Sequence, residues 1–333
     1  MNIKLNGQTV LVTGADGFIG SHLTELLLQA GAKVRALAHY NSFNSWGWLE
    51  DLACLGDGIE IVSGDVRDAD YCRQLCREVD IVFHLAALVA VPYSFVAPGS
   101  YVSTNVSGTL NMCQAALSAG CSRFIQMSTS EVYGTAQYVP IDENHPLQPQ
   151  SPYSASKIGG DSIAYSFHHT YGLPVTIARP FNTYGPRQSA RAVIPTIITQ
   201  IASGQNNVKL GDLDPTRDFT YVEDTCRALI SIAMASESIG EIINIGSNKE
   251  ITVRDLLNLV GDIMESKPIH KLDNHRVRPW KSEVFRLLCD NQKLIKLTDF
   301  KHQFDLRSGL ERTVSWFQSD SNLSRYKPDI FNL

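Results

Sequence analysis

A glycine-rich turn between a strand and a helix opens this chain. The segment TVLVTGADGFIGSHLTELLL has aliphatic residues at 10–12, then Gly14, Gly17 and Gly20, then apolar residues at helical spacing. Gly14 permits a tight turn, Gly17 lets a pyrophosphate approach the backbone, and Gly20 lets the helix pack closely on the strand. The free N–H groups and the dipole of the helix N-terminus favour that anion. The segment therefore predicts a dinucleotide-binding unit.

Strand-like segments recur through the first half of the chain, with helical segments between them. They include KVRALA, IEIVSGDVRD, DIVFHLAAL, CSRFIQMSTS and PVTIARPFN. This alternation predicts an α/β fold with a Rossmann-type doubly wound parallel sheet, because parallel neighbours are joined by crossover helices. The 333 residues exceed the length that one hydrophobic core usually serves, so we expect one large domain or two lobes.

Charge and composition exclude several classes of partner. The net charge of −5 gives no electrostatic reason to expect nucleic acid or an anionic membrane. No apolar run approaches the roughly 20 residues of a membrane span. The 7 cysteines and 9 histidines show no metal-ligand spacing, so no metal is predicted. Because the N-terminus lacks a signal-peptide pattern, we expect a cytoplasmic protein with reduced thiols.

Asp65 and the end of the second strand bear on the choice of cofactor. Asp65 follows a strand and could bind an adenine amino group, or it could cap the helix that starts near Ala69. An acid at the end of the second strand normally binds the ribose hydroxyls of NAD. Here that strand ends RALAHYN without an acid, and a 2′-phosphate could find donors in His39, Asn41, Ser42 and Arg35. Both NAD and NADP therefore stay open, and NADP is permitted.

Two polar clusters indicate acid–base chemistry. The strand FIQM ends in Ser-Thr-Ser-Glu at 128–131, although an arbitrary strand could end in such residues simply because it meets solvent. Further along, SPYSASK places Tyr153 and Lys157 four residues apart, on one face of a helix. A lysine ammonium beside a phenol favours the phenolate, so we expect Tyr153 to act as a general base near neutral pH.

The order of seven motifs resembles the extended short-chain dehydrogenase/reductase family over essentially the whole chain. The motifs are GADGFIG, DVRD, HLAA, STSEVYG, YSASK, RPFNTYGPRQ and RDFTYVED. The resemblance implies a dinucleotide-binding domain at 1–180, with returns near 219–247, and a smaller α/β lobe, mainly 181–333, that binds a nucleotide sugar. It also implies a homodimer in which helices at about 98–118 and 152–171 of each subunit form a four-helix bundle.

The strand-end cluster distinguishes reactions within this family. Thr129-Ser130-Glu131 is similar to the GDP-mannose 4,6-dehydratase version and departs from the Asp-Glu pair of the dTDP-glucose enzymes. UDP-glucuronate decarboxylases share a TSEVYG-like run, but an arginine follows their YxxxK, where this chain has Ile158. The resemblance favours a nucleotide-sugar 4,6-dehydratase, a hydro-lyase, with a UDP-sugar 4-epimerase or UDP-glucuronate decarboxylase as alternatives. The implied catalytic residues are Thr129, Ser130, Glu131, Tyr153 and Lys157.

The resemblance also implies the binding residues. A tightly bound, recycled NAD or NADP would contact the glycine-rich turn, several strand ends and the catalytic helix, namely Gly14, Gly17, Phe18, Ile19, Gly20, His39, Asp65, Val66, Leu85, Ala86, Ala87, Tyr153, Lys157 and Pro180. The sugar nucleotide would contact Asn182, Arg187, Arg217 and Arg278. A surface ion pair with Asp218 or Glu283 is the alternative for Arg217 or Arg278, respectively.

Two further segments narrow the resemblance. HYNSFNSWGWLE and RPWKSEVFRLLCDNQKL resemble the bacterial enzymes that dehydrate UDP- or GDP-N-acetylglucosamine on routes to nonulosonic acids. This resemblance favours an N-acetylhexosamine substrate, while the nucleotide base and the exact sugar stay open. Core packing is the expected role of at least one of Trp46 and Trp48.

Overall fold

Strands and helices alternate along the described residues, 5–52, 58–276 and 284–328, of a computed structural model. The strands are β1 (Thr9–Thr13), β2 (Lys33–His39), β3 (Ile59–Gly64), β4 (Ile81–His84), β5 (Arg123–Met127), β6 (Val175–Pro180), β7 (Asn182–Tyr184), β8 (Asn207–Leu210), β9 (Thr216–Tyr221), β10 (Ile242–Ile245), β11 (Glu250–Thr252) and β12 (Ile269–Leu272). The helices are α1 (Phe18–Gln29), α2 (Ala69–Leu75), α3 (Val91–Val96), α4 (Pro98–Tyr101), α5 (Gly108–Ala119), α6 (Pro152–Tyr171), α7 (Val193–Ala202), α8 (Val222–Met234), α9 (Val253–Ile263), α10 (Gln292–Thr298), α11 (Leu306–Phe317) and α12 (Asp320–Leu323). Short 3₁₀ turns cover Gly47–Leu49, Ser130–Tyr133, Ser236–Ser238 and Asn274–Arg276, and a π-helical turn covers Val102–Ser107.

Seven of the strands form one parallel sheet in the order β3-β2-β1-β4-β5-β6-β10. The order reverses between β1 and β4, because the chain crosses back from β3 to pair β4 with β1. Sheets of this kind bind ligands outside the carboxyl ends of their strands, at this switch point. The predicted doubly wound α/β sheet is confirmed.

Helices cover both faces of this sheet. Val10 and Val12 of β1 belong to a hydrophobic cluster that includes α1 and α8, whereas Leu11, which points to the other face, belongs to a cluster that includes α2, α5 and α6. Burial on both faces explains why the strands read as continuous apolar runs. Six cysteines lie within the described residues, and all six are free and buried. Cys54 lies outside them.

Two small sheets follow in the second half of the chain. β7 pairs in parallel with β9, β9 pairs antiparallel with β11, and β12 pairs in parallel with β8. From β9 the chain passes through α8 to β10, which is the last strand of the large sheet. The predicted division into two lobes near residue 180 stays a prediction. Within the described ranges, none of the helices has the length and apolar character needed to cross a membrane.

The helix that carries the YxxxK sequence has clear end signals. Ser151 forms a capping box with Ser154, Pro152 occupies the first turn, and Gly172 ends the helix in the left-handed conformation at φ 72°. The predicted bounds of 152–171 are therefore confirmed. The predicted helix at 98–118 is continuous from Pro98 to Ala119, but its middle widens into the π-helical turn.

Candidate active site

The glycine-rich turn forms a cradle at the carboxyl end of β1. Gly14 has φ +66°, and a Cβ on Gly20 would lie 2.1 Å from the Gly14 carbonyl oxygen. Phe18 and Ile19 begin α1, whose N-cap, Gly17, is exposed and contributes no side-chain cap. The backbone N–H groups at this end of α1 are therefore not covered by side chains, because the turn beside them is built from glycines. Such a site fits the pyrophosphate of a dinucleotide.

A buried Thr–His pair fixes the segment after β4. The Thr13 hydroxyl accepts hydrogen bonds from the Leu85 and Ala86 N–H groups, at 3.1 and 3.0 Å, and lies 2.9 Å from His84 Nδ1. Burial and the nearby Lys157 charge lower the pKa of His84 to about 3. The neutral ring therefore accepts the Thr13 proton at Nδ1 and donates from Nε2 to Thr109, at 3.3 Å. This holds residues 85–87 beside the glycine-rich turn.

The polar residues after β5 divide between the protein interior and the site. Ser128 donates to Asp161 Oδ2 at 2.6 Å and therefore points into the protein. Thr129 caps the 3₁₀ turn Ser130–Tyr133 by accepting the Glu131 N–H at 3.2 Å. Ser130 is buried, and Glu131 is partly exposed. The tight turn after the strand thus brings Thr129 and Glu131 to one place.

Tyr153 and Lys157 lie buried on α6, against the end of β5. The Lys157 ammonium donates to the Met127 carbonyl at 2.6 Å, and burial lowers the pKa of Lys157 to about 8. Burial also raises the pKa of Tyr153 well above its usual range; a Thr129 hydrogen bond lowers it, and the Glu131 charge raises it. Burial therefore opposes the Tyr153 phenolate that we predicted near neutral pH, and the role of Tyr153 as a general base stays a prediction.

A buried ionic network supports the 3₁₀ turn Ser130–Tyr133, called the catalytic turn below. Asp161 Oδ2 accepts from Ser128 and from Arg179 Nη2, the latter at 3.3 Å. Arg179 Nη1 donates to the Tyr133 hydroxyl at 3.1 Å, and Tyr133 donates to Asn244 at 2.7 Å. Ser128 and Tyr133 flank residues 129–132, so this network fixes both ends of the turn. Asp161 also raises the pKa of Lys157, against the effect of burial.

The π-helical turn places Asn105 between the segment after β4 and the catalytic helix. Its side chain accepts from Leu88 N–H at 2.9 Å and donates to the Leu88 carbonyl and to Ser156. A Cβ on Gly160 would lie 2.7 Å from the Asn105 carbonyl oxygen. The glycine after the YxxxK sequence therefore serves close helix packing.

The residues considered for the choice of cofactor differ from their sequence-based interpretation in two respects, the first of which concerns Asp65 after β3. Asp68, rather than Asp65, caps α2 by accepting the Tyr71 N–H at 3.0 Å, so the capping alternative for Asp65 is wrong. The Asp65 carboxylate is bound instead by the Arg67 backbone N–H and guanidinium. A role for Asp65 towards adenine stays a prediction.

Arg35 is also unavailable to a 2′-phosphate. Its guanidinium pairs with Glu60 at 2.7 Å and donates to the carbonyls of Leu75 and Arg77. Arg35 lies near the start of β2, whereas His39 is the last residue of that strand. Arg35 is therefore wrong as a donor to the 2′-phosphate: it is close to His39 in sequence, but it lies at the other end of the strand.

The predicted substrate residues lie on separate elements. Asn182, at the start of β7, has a buried Nδ2 that makes no hydrogen bond within the described part of the chain. Arg217 is partly exposed on β9, the strand beside β7, where Asn182 is paired with Phe219. Arg187 pairs with Glu25 of α1 at 3.2 Å. Arg278 lies outside the described residues.

Asp218 is not the surface partner that the sequence suggested for Arg217. Its carboxylate is fully buried and accepts from the N–H groups of Ser247, Asn248 and Cys289. A surface ion pair between Arg217 and Asp218 is therefore wrong.

The remaining cofactor candidates lie along the carboxyl edge of the large sheet. Pro180 ends β6, and Val66, which follows β3, is buried against Gly108 of α5. Across residues 5–52, 58–276 and 284–328, no group of three or more His, Cys, Asp or Glu side chains could hold a metal ion.

Sequence reasoning missed several residues that organise this site. Asp161 follows Lys157 by four residues, the same spacing that links Tyr153 to Lys157, so its helix face could have been recognised. Arg179 is a lone charge in the apolar strand VTIARP, which should have indicated a buried partner. The contacts of His84 and Asn105 depend on residues distant in sequence, and no local pattern indicates them.

The comparisons with known proteins agree with this geometry. The family model described as GDP-mannose 4,6 dehydratase matches residues 11–313. A dTDP-glucose 4,6-dehydratase of Streptomyces antibioticus is 33% identical over 321 residues, covering 94% of this chain and 93% of that protein. The structure of the Streptomyces venezuelae dTDP-glucose 4,6-dehydratase DesIV, with NAD bound, superposes with TM-score 0.86 and 32% identity over 96% of this chain and 99% of that one.

Epimerases of nucleotide sugars are similar as well. The structure of UDP-N-acetylglucosamine 4-epimerase from Methanobrevibacter ruminantium has TM-score 0.85 and 33% identity, over 95% of this chain and 99% of that one. Family membership thus rests on near-complete coverage by proteins of one fold and related chemistry. The chain belongs to the GDP-mannose 4,6 dehydratase family, and within it to the nucleotide-sugar 4,6-dehydratase branch.

Proposed function

We propose that this enzyme dehydrates UDP-N-acetylglucosamine, or its GDP analogue, to the 4-keto-6-deoxy sugar, with NAD or NADP recycled in each turnover. The observation that carries the proposal is the 3₁₀ turn after β5, which holds Glu131 against α6, the helix that carries Tyr153 and Lys157. Dehydration needs a base for a carbon-bound proton in addition to a base for a hydroxyl proton. A carboxylate beside the tyrosine meets that need.

The dinucleotide would be held by the glycine-rich turn and by the ends of β2, β4 and β6. A bound nicotinamide supplies hydride acceptance at C4 and hydride return at C6, so the overall reaction has no net redox change. Its oxidised ring would also carry a positive charge, and a positive charge near Tyr153 would oppose the effect of burial on the phenol.

The chain's own residues supply the proton transfers. Tyr153, assisted by Thr129, removes the proton of the sugar C4 hydroxyl. The resulting C4 ketone acidifies the C5 hydrogen, which Glu131 abstracts as a proton. Water then leaves from C6 with a proton supplied by Ser130 or protonated Glu131, the donor takes up a proton from solvent, and protonated Glu131 then gives a proton to C5. Lys157, anchored on the Met127 carbonyl, keeps a positive charge near the reacting groups.

The sugar nucleotide is proposed from the binding residues and the resemblance together. Asn182 Nδ2 has no partner among the described residues and is a donor that a phosphate or sugar oxygen could satisfy, since a buried unpaired amide is costly. Arg217 on the neighbouring strand has the guanidinium fork that suits a diphosphate.

The two tryptophans after β2 differ in their environment. Trp48 packs edge to face on Trp316, whereas Trp46 is 41% exposed.

Mass spectrometry of the product tests the proposed reaction. We expect UDP- or GDP-N-acetylglucosamine to lose one water without net consumption of cofactor, while dTDP-glucose and GDP-mannose react more slowly. A product of unchanged mass and inverted C4 would identify an epimerase, which the similarity to the M. ruminantium enzyme makes the second candidate. Loss of carbon dioxide from UDP-glucuronate would identify a decarboxylase. Either result would contradict the dehydratase proposal.

The proposed functional unit is a homodimer built on α6 and the helical segment 98–119. These elements pack side by side and leave apolar side chains exposed, among them Val102 at 54% and Tyr165 at 38%. Exposed apolar patches of this kind are typical of protein interfaces. Light scattering at micromolar concentration should give the dimer mass, and Val102→Glu should shift it towards the monomer. A wild-type monomer under these conditions would contradict the proposal.

A further inference from the structure

We propose that Asp16, in the glycine-rich turn, makes this protein select NAD over NADP by supplying the ribose-binding carboxylate that β2 lacks. Asp16 lies between Gly14 and Gly17 in sequence, but its Oδ2 accepts the backbone N–H of His39, the last residue of β2, at 3.1 Å. A carboxylate therefore stands at the end of the second strand although the strand itself ends without one.

The Asp16 carboxylate has capacity for a ligand. Its side chain is partly exposed, and within the described part of the chain no hydrogen bond reaches its second oxygen, Oδ1. Dinucleotide folds place the adenosine ribose at the end of the second strand, where a carboxylate accepts from the ribose hydroxyls. Oδ1 is therefore the acceptor for a ribose hydroxyl of NAD.

The segment after β2 fixes Asp16 in this position. The Trp48 N–H donates to the Asp16 carbonyl at 3.2 Å. A Cβ on Gly47, which has φ +57°, would lie 2.8 Å from the same carbonyl oxygen. Trp48 packs in turn on Trp316, with ring centroids 5.5 Å apart. The contacts of Gly47 and Trp48 thus hold the backbone of Asp16 in place, as they would not for a carboxylate on a mobile surface loop.

A 2′-phosphate would meet few donors at this place. The His39 N–H is already bound to Asp16, and Asn41 Nδ2 donates to the carbonyls of His39 and Ser45. The Arg67 guanidinium is bound to Asp65, and the same carboxylate lies 3.7 Å from His39 Nε2. Two carboxylates therefore flank the end of β2, and a dianionic phosphate there would be repelled.

Titration of cofactor-free protein with each dinucleotide tests the proposal. Wild-type protein should bind NAD at least about tenfold more tightly than NADP, the size expected for one charge-assisted hydrogen bond. Asp16→Asn keeps an oxygen that can accept the His39 N–H but removes the charge. This variant should lose roughly tenfold in NAD affinity and should bind NADP more tightly than wild type does.

The matched control is Asp51→Asn, which removes one carboxylate from the segment after β2. The Asp51 carboxylate lies 3.8 Å from the Arg325 guanidinium, which belongs to the C-terminal part of the chain, so the ratio of NAD to NADP affinity should not change. Equal wild-type affinities for the two dinucleotides would overturn the proposal, as would an unchanged ratio in a folded Asp16→Asn protein. If that variant does not fold, wild-type titration with 2′-deoxy-NAD replaces it; binding as tight as that of NAD would also overturn the proposal. These readouts require no sugar substrate, so they stand apart from the proposed dehydration.

Discussion

Glu131→Gln should lower the rate of water loss by roughly 10²–10⁴-fold, the usual contribution of a general acid–base group. The amide keeps the size of the side chain but cannot take the C5 proton. Oxidation at C4 relies on Tyr153, so it should still occur, and reaction should stop at the 4-keto sugar. Reduced cofactor should therefore accumulate, visible by its near-ultraviolet absorbance after one turnover.

The control for this experiment is Glu237→Gln, an equivalent change at an exposed glutamate in the turn between α8 and β10. β10 begins after this turn, so Glu237 lies at the edge of the sheet opposite the catalytic turn. The control should dehydrate at the wild-type rate. Wild-type dehydration by Glu131→Gln itself would show that another group takes the C5 proton, and the mechanism would be wrong.

Tyr153→Phe should abolish both water loss and cofactor reduction, with a decrease of roughly 10²–10⁴-fold in C4 oxidation. The phenol oxygen is the base of the first step, so removing it stops the sequence before any reduced cofactor forms. Comparing Tyr153→Phe with Glu131→Gln therefore separates the first step from the second. Tyr171→Phe removes a phenol from the exposed end of the same helix and should leave both steps intact.

The pH dependence provides a second test of Tyr153. Because burial raises its pKa, the phenolate fraction should increase as the pH rises above neutrality, and the rate of C4 oxidation should increase with it in wild type. Tyr153→Phe should remove this increase. A residual rate that keeps the wild-type pH profile would show that a different group is the base.

The sequence alone predicted the elements whose signals are local. The glycine spacing predicted the β1–turn–α1 unit, because only glycine fits where a Cβ on Gly20 would lie 2.1 Å from the preceding turn. Ser151, Pro152 and Gly172 are end signals within a few residues of α6, which explains why its bounds were predicted correctly. The parallel sheet followed from strands that are buried on both faces and separated by helices.

Tertiary structure decided which polar groups reach the site. Ser128 and Thr129 are adjacent in the chain, yet Ser128 turns inward to Asp161 and Thr129 contributes to the catalytic turn, because successive residues of an extended chain point to opposite sides. Burial, which the sequence does not report, raises the pKa of Tyr153, against the lowering effect of the Thr129 hydrogen bond. Asp16 reached the end of β2 only because parallel pairing sets β1 beside β2, so that the turn after one strand meets the end of the other.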